Sequence, residues 1–233
     1  MHNRRVLDRD SAWVFNLFAD VYAWFSAQAA WRASCGLLAG HLPEPDTRRP
    51  LRVVDLGCGP GVSTFEMARR RPDAVYVGLD RAPRMLVQAR RRQPAAGLGR
   101  QRIFWVRATA GALPFASDSI DACTGHSFLY LLGEPTRSQT LPEVLRTLRP
   151  GGRVVLMEPS ARPATPRQVL SVSVDPRHLI SILLWRPFSR MHRRYTPTSL
   201  QATLEQAGFA DTRVDEVLGG LGLMARAHKP TCP

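Results

Sequence analysis

"VVDLGCGPG", residues 53–61, places three glycines at alternate positions directly behind an apolar run. Glycine costs backbone entropy and is kept where the chain needs positive φ or where something must approach closely. The apolar run reads as a core strand, "LRVVDL" (51–56), handing over to a helix that begins at Val62. In open α/β sheets, ligands bind beyond the carboxyl ends of the strands. A strand, a glycine loop and a helix N-terminus turn backbone N–H groups toward such a ligand.

The next strand narrows the ligand. "AVYVGLD" (74–80) sets Asp80 at its tip, nineteen residues after Gly61. An acidic side chain there can accept hydrogen bonds from the hydroxyls of a ribose. The dinucleotide fingerprint is GxGxxG, whereas Gly57, Gly59 and Gly61 give GxGxG. Asp55 sits where a phosphate would be repelled, so the loop favours a ligand that is cationic or amine-bearing at this point.

Outward from this unit, strands and helices alternate. Helices are expected near 11–20 and 22–40, followed by the Pro- and charge-rich linker "HLPEPDTRRP" (41–50). Then come a helix at Val62–Arg70 stopped by Pro72, a helix at Pro83–Arg92 and a strand in "QRIFWVRA" (101–108). "SDSIDACTG" (117–125) leads into the next strand. Thr136–Leu148 reads as a helix ended by "RPGG", and "RVVLMEP" (153–159) as a strand. Thr196 caps a helix with Pro197 in its first turn and Gly208 at its end. "DTRVDEV" and "GLMARAHK" read as two antiparallel edge strands. The pattern predicts an α/β fold with a mostly parallel sheet and helices on both faces.

Composition fits one globular domain with a substantial core: 233 residues, 44% hydrophobic and 22% charged. The net charge of +13 comes from 31 arginines and one lysine, Lys229, scattered without the aromatic interleaving of nucleic-acid modules. A solvated basic surface is expected, and no nucleic-acid partner. Cys35, Cys58, Cys123 and Cys232 form no CxxC pair and no zinc spacing, so reduced thiols, a cytoplasmic setting and no metal are expected. Near the N-terminus Asp20 interrupts the apolar stretch, and Val14, Leu17, Phe18, Val21 and Phe25 share one helical stripe. That argues for an amphipathic helix rather than a secretory leader. No run reaches about 18 uncharged apolar residues, so no membrane span is predicted.

"VVDLGCGPG" resembles the first motif of class I S-adenosylmethionine-dependent methyltransferases. "LDRAPRML" (79–86), "ALPFASDSIDAC" (112–123), "LRTLRPGGRVVLMEP" (145–159) and "YTPTSLQATLEQAGF" (195–209) are similar to later segments of the same family. The nearest subgroup contains ubiquinone/menaquinone and phospholipid methyltransferases. The resemblance implies a Rossmann-like, seven-stranded, mostly parallel sheet in a single domain, 1–233. Its parts are a helical cap (1–45), a cofactor-binding core (51–158), a lid-like insertion (159–195) and a C-terminal helix with a strand pair (196–229). It also implies S-adenosyl-L-methionine as cofactor, held by Asp55, Gly57, Cys58, Gly59, Gly61, Asp80, Arg81, Met85, Thr109, Ala110 and His126. Asp80 takes the ribose and Met85 lies near the adenine. The family commonly has an acidic residue at the position of Thr109, and the hydroxyl is a weaker acceptor for the adenine amine.

Methyl transfer from a sulfonium is an in-line displacement that proximity and alignment can largely drive. A base is needed only when the nucleophile carries a proton. His126, Tyr130 and Tyr22 are the catalytic candidates, with Glu158 at the end of a strand as a further pocket residue. His178, His192, Tyr195, Trp185 and Phe188 in the insertion are candidate lid contacts. A small apolar or aromatic acceptor is the leading expectation. Two alternatives stand beside it: an enzyme acting on the aminocarboxypropyl arm of the cofactor, and a lipid or quinone methyltransferase at a membrane surface, for which "HLISILLWRPFSRMHRR" (178–194) is the candidate peripheral contact. The chain is expected as a monomer or homodimer.

Overall fold

Val53, Val54 and Leu56 are each at most 1% exposed, so the first core strand is covered on both faces. Such a strand belongs in the middle of a parallel sheet with helices on either side. The computed structural model describes Asp20, Ser26 and residues 29–45, 48–98, 102–163, 165, 168 and 194–231. Within these, α1 (Ala29–Leu37) precedes β1 (Leu51–Leu56), α2 (Val62–Arg70), β2 (Ala74–Asp80), α3 (Pro83–Arg92) and β3 (Ile103–Arg107). β4 (Ile120–His126), α4 (Thr136–Thr147), β5 (Leu148–Pro159), α5 (Pro197–Gln206), β6 (Ala210–Val217) and β7 (Gly222–His228) follow.

The seven strands form one sheet in the order β3-β2-β1-β4-β5-β7-β6. All neighbours from β3 to β5 are parallel, and β7 runs antiparallel to both β5 and β6. This is the expected Rossmann-like sheet. One face packs Val53, Tyr76, Ile103 and Met157 against Leu38 and α2 residues Phe65, Met67 and Ala68. The other packs Val54, Leu79, Cys123 and Leu156 against Leu141 and Val144 of α4 and Leu200 and Leu204 of α5. Strand order reverses between β1 and β4, so the crevice at their carboxyl ends is the switch point of the sheet.

Several local expectations hold residue for residue. Val62–Arg70 and Pro83–Arg92 are helices, and Pro83 stands in the first turn of α3. Thr196 and Ser199 form a reciprocal capping box at the start of α5, and Gly208 takes φ +93° after its end. Two expectations are corrected. Of the two expected edge strands only β6 lies at an edge; β7 is interior, inserted between β5 and β6, because its residues Leu223, Met224, Ala225 and Ala227 are apolar and fully buried. β5 starts at Leu148 rather than after "RPGG": Leu148 already pairs with Ile120, and Gly151 and Gly152 exchange backbone hydrogen bonds with Lys229. The described helix ahead of the linker is Ala29–Leu37, continued by a 3₁₀ turn at Leu38–His41. Residues 11–19 and 169–193, with most of the expected lid, lie outside the described residues, and no described helix is long and apolar enough to cross a membrane.

The amino ends of the central strands are held by one buried carboxylate. Asp121 accepts from Arg49 through both oxygens at 2.7 and 2.8 Å and from the Arg52 N–H at 2.8 Å, and it pairs with Arg149 at 2.7 Å. Burial pushes this carboxyl up, but Arg49 and the Arg52 N–H outweigh it and hold it below the usual carboxylate range. A carboxyl depressed in the folded state stabilises fully above its unfolded pKa, about 3.9, and loses that contribution as pH falls through the folded value. Asp121→Asn is therefore expected to lower unfolding free energy by about 2–4 kcal/mol in urea titration at pH 7. The deficit should shrink below about pH 4, where the wild-type carboxyl is also protonated.

Candidate active site

Asp55 is the last residue but one of β1, and its carboxylate is turned inward. It is fully buried and accepts from Ser63 Oγ at 2.6 Å, Thr64 Oγ1 at 2.6 Å and Thr124 Oγ1 at 3.0 Å. Burial pushes the carboxyl up, and the three hydroxyls pull it back only in part. All three side-chain donors come from the protein, and Asp55 ties β1 to the first turn of α2 and to β4.

The glycine loop then turns through positive φ at Gly57 (60°), Gly59 (52°) and Gly61 (86°). Gly61 is the N-cap of α2 and occupies the left-handed region, which side chains rarely tolerate. At Gly57 space is also closed: a Cβ would lie 2.2 Å from Cδ2 of Phe128. The Cys58 N–H bonds to the Leu79 carbonyl at 3.0 Å, which fastens the loop to β2. The Cys58 thiol is buried, and burial pushes its pKa well up, so it is a neutral packing group.

Asp80 stands at the tip of β2. Its Oδ2 accepts from the Gly59 N–H at 2.9 Å and its Oδ1 from the Ala82 N–H at 2.8 Å. Each oxygen keeps a further lone-pair direction, which is what two ribose hydroxyls require. Burial pushes this carboxyl up against the pull of the Ala82 and Gly59 N–H groups and of Arg81. Met85 and Ala110 are buried, and Thr109 and Arg81 are half-buried. The segment carrying Thr109 and Ala110 leaves the sheet beside Asp80, since the Ala108 N–H bonds to the Asp80 carbonyl at 3.3 Å. Thr109 Oγ1 accepts from the Gly111 N–H at 3.4 Å.

Across the switch point, His126 ends β4. Its Nε2 lies 2.9 Å from Ser34 Oγ on α1, and its ring meets Trp31 edge-on with centroids 4.8 Å apart. A small cavity of about 20 Å³ opens between the glycine loop and α1, lined by Gly57, Cys58, Gly59, His126, Trp31 and Cys35 among others. α1 is clamped to α2 by Glu66, which pairs with Arg32 at 2.8 Å and with Arg70 at 2.6 Å. Burial raises the Glu66 carboxyl, but Arg70 and Arg32 outweigh burial and hold it low.

The remaining candidates divide. Tyr130 is 2% exposed within the core cluster of Leu129, Leu141 and Val144, and it is not part of the cavity wall. Tyr22, His178, Trp185, Phe188 and His192 lie outside the described residues, and Tyr195 is buried in the core. Glu158 is a latch. It is 1% exposed and accepts from the N–H groups of Phe128 (3.2 Å), Leu129 (2.7 Å) and Tyr130 (3.2 Å). It therefore fixes the loop that carries Phe128 against Gly57. Trp31, Ser34 and Cys35 were not singled out from the sequence; their i, i+3, i+4 spacing on one helix face was the available signal. Among the described residues, no group of three or more His, Cys, Asp or Glu side chains can hold a metal ion.

Residues 53–152 match the family described as a methyltransferase domain. A ubiquinone/menaquinone biosynthesis C-methyltransferase of Geotalea daltonii is 31% identical over 76% of this chain and 78% of its own length. A trans-aconitate 2-methyltransferase of Methylobacterium nodulans is 37% identical over 47% of this chain, and the match spans only 39% of that relative. Among solved structures, Haemonchus contortus phosphoethanolamine N-methyltransferase 2 in complex with S-adenosyl-L-methionine superposes with a TM-score of 0.69 at 15% identity, over 99% of this chain and 60% of that one. The chain belongs to the class I S-adenosylmethionine-dependent methyltransferases.

The donor set fits that cofactor. Two carboxylates, Asp55 and Asp80, flank the glycine loop, and no cationic side chain lines the cavity among the described residues, so a sulfonium meets no like charge.

Two outcomes are expected. Gly57→Ala should cost more than about 2 kcal/mol, because left-handed strain adds to contact with Phe128; urea unfolding measures it. Burial raises the Glu158 carboxyl to about 7 despite its three N–H donors. An acid raised in the folded state is more stabilising when protonated, so stability falls as pH rises from its unfolded value, about 4.3, to about 7. Glu158→Gln should remove that slope from a series of unfolding curves across this window.

Proposed function

We propose that the chain is a single methyltransferase domain that transfers the methyl group of S-adenosylmethionine to a small acceptor. The carrying observation is the pairing of the glycine loop with Asp80: one carboxylate oxygen accepts from the Gly59 N–H and the other from the Ala82 N–H, and a carboxylate oxygen can accept more than one hydrogen bond. When bound, the cofactor supplies an electrophilic methyl group on a cationic sulfur.

Asp80 would hold the ribose, and the buried Met85 and Ala110 with Thr109 would flank the adenine. Gly57, Cys58 and Gly59 would let the nucleoside approach the backbone, with Asp55 fixing their geometry from behind. Trp31 and Cys35 would close the cavity from α1 and exclude water from the reacting atoms. Displacement at a methyl carbon needs alignment above all, and a wall built on a helix and two strand ends provides it. The aromatic edge of Trp31 and the apolar flank of α1 favour a small apolar or aromatic acceptor.

Isothermal titration with S-adenosylhomocysteine is expected to show micromolar or tighter binding, weakened about 10- to 100-fold in Asp80→Ala, the range for hydrogen bonds to a charged group. Absence of binding to the wild-type chain overturns the proposal. Release of methylthioadenosine in place of S-adenosylhomocysteine would instead assign the pocket to chemistry on the aminocarboxypropyl arm.

A further inference from the structure

The 3₁₀ turn that continues α1 is fastened to the sheet by two arginines and two histidines. Arg153 on β5 donates through Nη1 to the His41 carbonyl at 2.8 Å and to the Leu42 carbonyl at 3.4 Å. Its Nε lies 3.0 Å from His228 Nε2 on β7. Arg226, also on β7, lies 3.0 Å through Nη1 from His41 Nδ1 and pairs through Nη2 with Asp215 of β6. A guanidinium has donors only. Both histidines therefore accept, which requires a neutral ring with a lone pair at the bonded nitrogen. His41 then keeps its proton on Nε2 and His228 on Nδ1. A proton added to either ring replaces the accepting lone pair with an N–H aimed at a cation.

We infer that His41 and His228 form an acid-labile fastening of the segment 29–42, which releases α1 and its 3₁₀ turn from β5 and β7 while the sheet stays folded. His41 acts directly, since it ends the turn. His228 acts through Arg153, whose guanidinium it orients toward the two carbonyls. The charges around the two rings come from each neighbouring element. His41 faces Arg226, Asp215 and Arg153; burial and the two arginines outweigh Asp215 and lower its pKa. His228 faces Arg153 and Asp211; burial and Arg153 outweigh Asp211 in the same direction. Glu44, in the linker, faces Arg153. A histidine lowered in the folded state stabilises fully above its released value, about 6.5, and loses that contribution as pH falls toward the folded value. The polar anchors of α1 at its other end do not titrate in this window. Glu66, raised by burial but held low by Arg70 and Arg32, stays charged. His126, lowered by burial to about 4, stays neutral. α1 supplies Trp31 and Cys35 to the cavity, so its release opens the wall that faces the glycine loop. None of these contacts involves a ligand, so the fastening stands or falls separately from methyl transfer.

Amide hydrogen exchange of the full chain at about pH 7.5 and about pH 5.5, corrected for intrinsic rates, is the test. Protection factors in residues 33–41 are expected to fall selectively at the lower pH, by up to about tenfold from His41, because that pH lies about one unit below the ordinary histidine value. Those of β1 are expected to hold. A variant carrying both His41→Asn and His228→Gln keeps an acceptor oxygen near each bonded position and has no ring to protonate, so it should show no selective loss. Glu158, raised by burial to about 7, gains its proton over the same range in both chains and cancels in the comparison. No loss at 33–41, an equal loss in β1, or the same selective loss in the double variant overturns the inference. Should the double variant not fold, nitrogen-edited NMR of the wild-type chain labelled on histidine decides. The proton is expected on Nε2 of His41 and on Nδ1 of His228 near neutral pH, with both rings titrating below about 6.5. The opposite tautomer at either ring, or a His41 that titrates at or above that value, overturns it.

Discussion

The carboxylate of Asp55, fully buried at the end of β1, organises the site without reaching into it. Its three hydroxyl donors come from two elements: Ser63 and Thr64 from the first turn of α2, and Thr124 from β4. Hydrogen bonds to a charged acceptor are worth about 1.5–3 kcal/mol each, and in a dry interior they leave little angular freedom. Strand β1, its outgoing loop, the helix that follows and the neighbouring strand are thereby locked at one point. The glycine loop spans a gap whose two ends cannot drift. Its left-handed residues, at Gly57 and Gly61 above all, are the backbone's response to that fixed span.

A second buried carboxylate repeats the device one strand further along. Glu158 gathers three consecutive N–H groups from the loop after β4 and so seats Phe128 over Gly57. Both carboxylates stand at carboxyl ends of parallel strands, where a burial penalty is tolerated because backbone or hydroxyl donors converge. The walls of the cavity are therefore set by interactions that do not involve a ligand. Among the described residues, α1 is attached from outside, through Arg32 to Glu66 and through Ser34 to His126.

The core strands and the helices between them could be read from the sequence because each carried local punctuation: Pro83 and Pro197 at helix starts, Gly61 and Gly208 at positive φ, continuous apolar runs in β1 and β5. What was not readable depended on partners distant in the chain. The internal role of Asp55 was hidden because nothing in "VVDLGCGPG" announces that Thr124 lies 69 positions away with a hydroxyl to offer. Tyr130 looked catalytic by its nearness to His126 in sequence, yet the 3₁₀ turn at Leu129–Leu131 swings it into the core. The interior place of β7 was hidden for a related reason: a short apolar run beside a charged strand fits an edge hairpin as well as an insertion between two partners. α1 escaped detection as a cavity wall because Trp31, Ser34 and Cys35 gain meaning only from the glycine loop they face.

A net charge of +13 and a pocket suited to a cation are reconciled by where the charges sit. Arg49 and Arg149 are drawn to Asp121 at the amino ends of the strands, and Arg32, Arg69 and Arg70 to Glu66 on the flank of α2. Arg71 pairs with Asp73 and Arg146 with Glu143, again away from the cavity wall. Asp55 and Glu158, buried, and Asp80, half-buried, by contrast stand near the carboxyl ends and are met chiefly by backbone and hydroxyl donors. Coulomb energy falls with distance and is screened by solvent over about 8–10 Å, whereas inside a protein it is screened far less. A cation placed at the glycine loop would be governed by the two nearby carboxylates, not by a basic exterior.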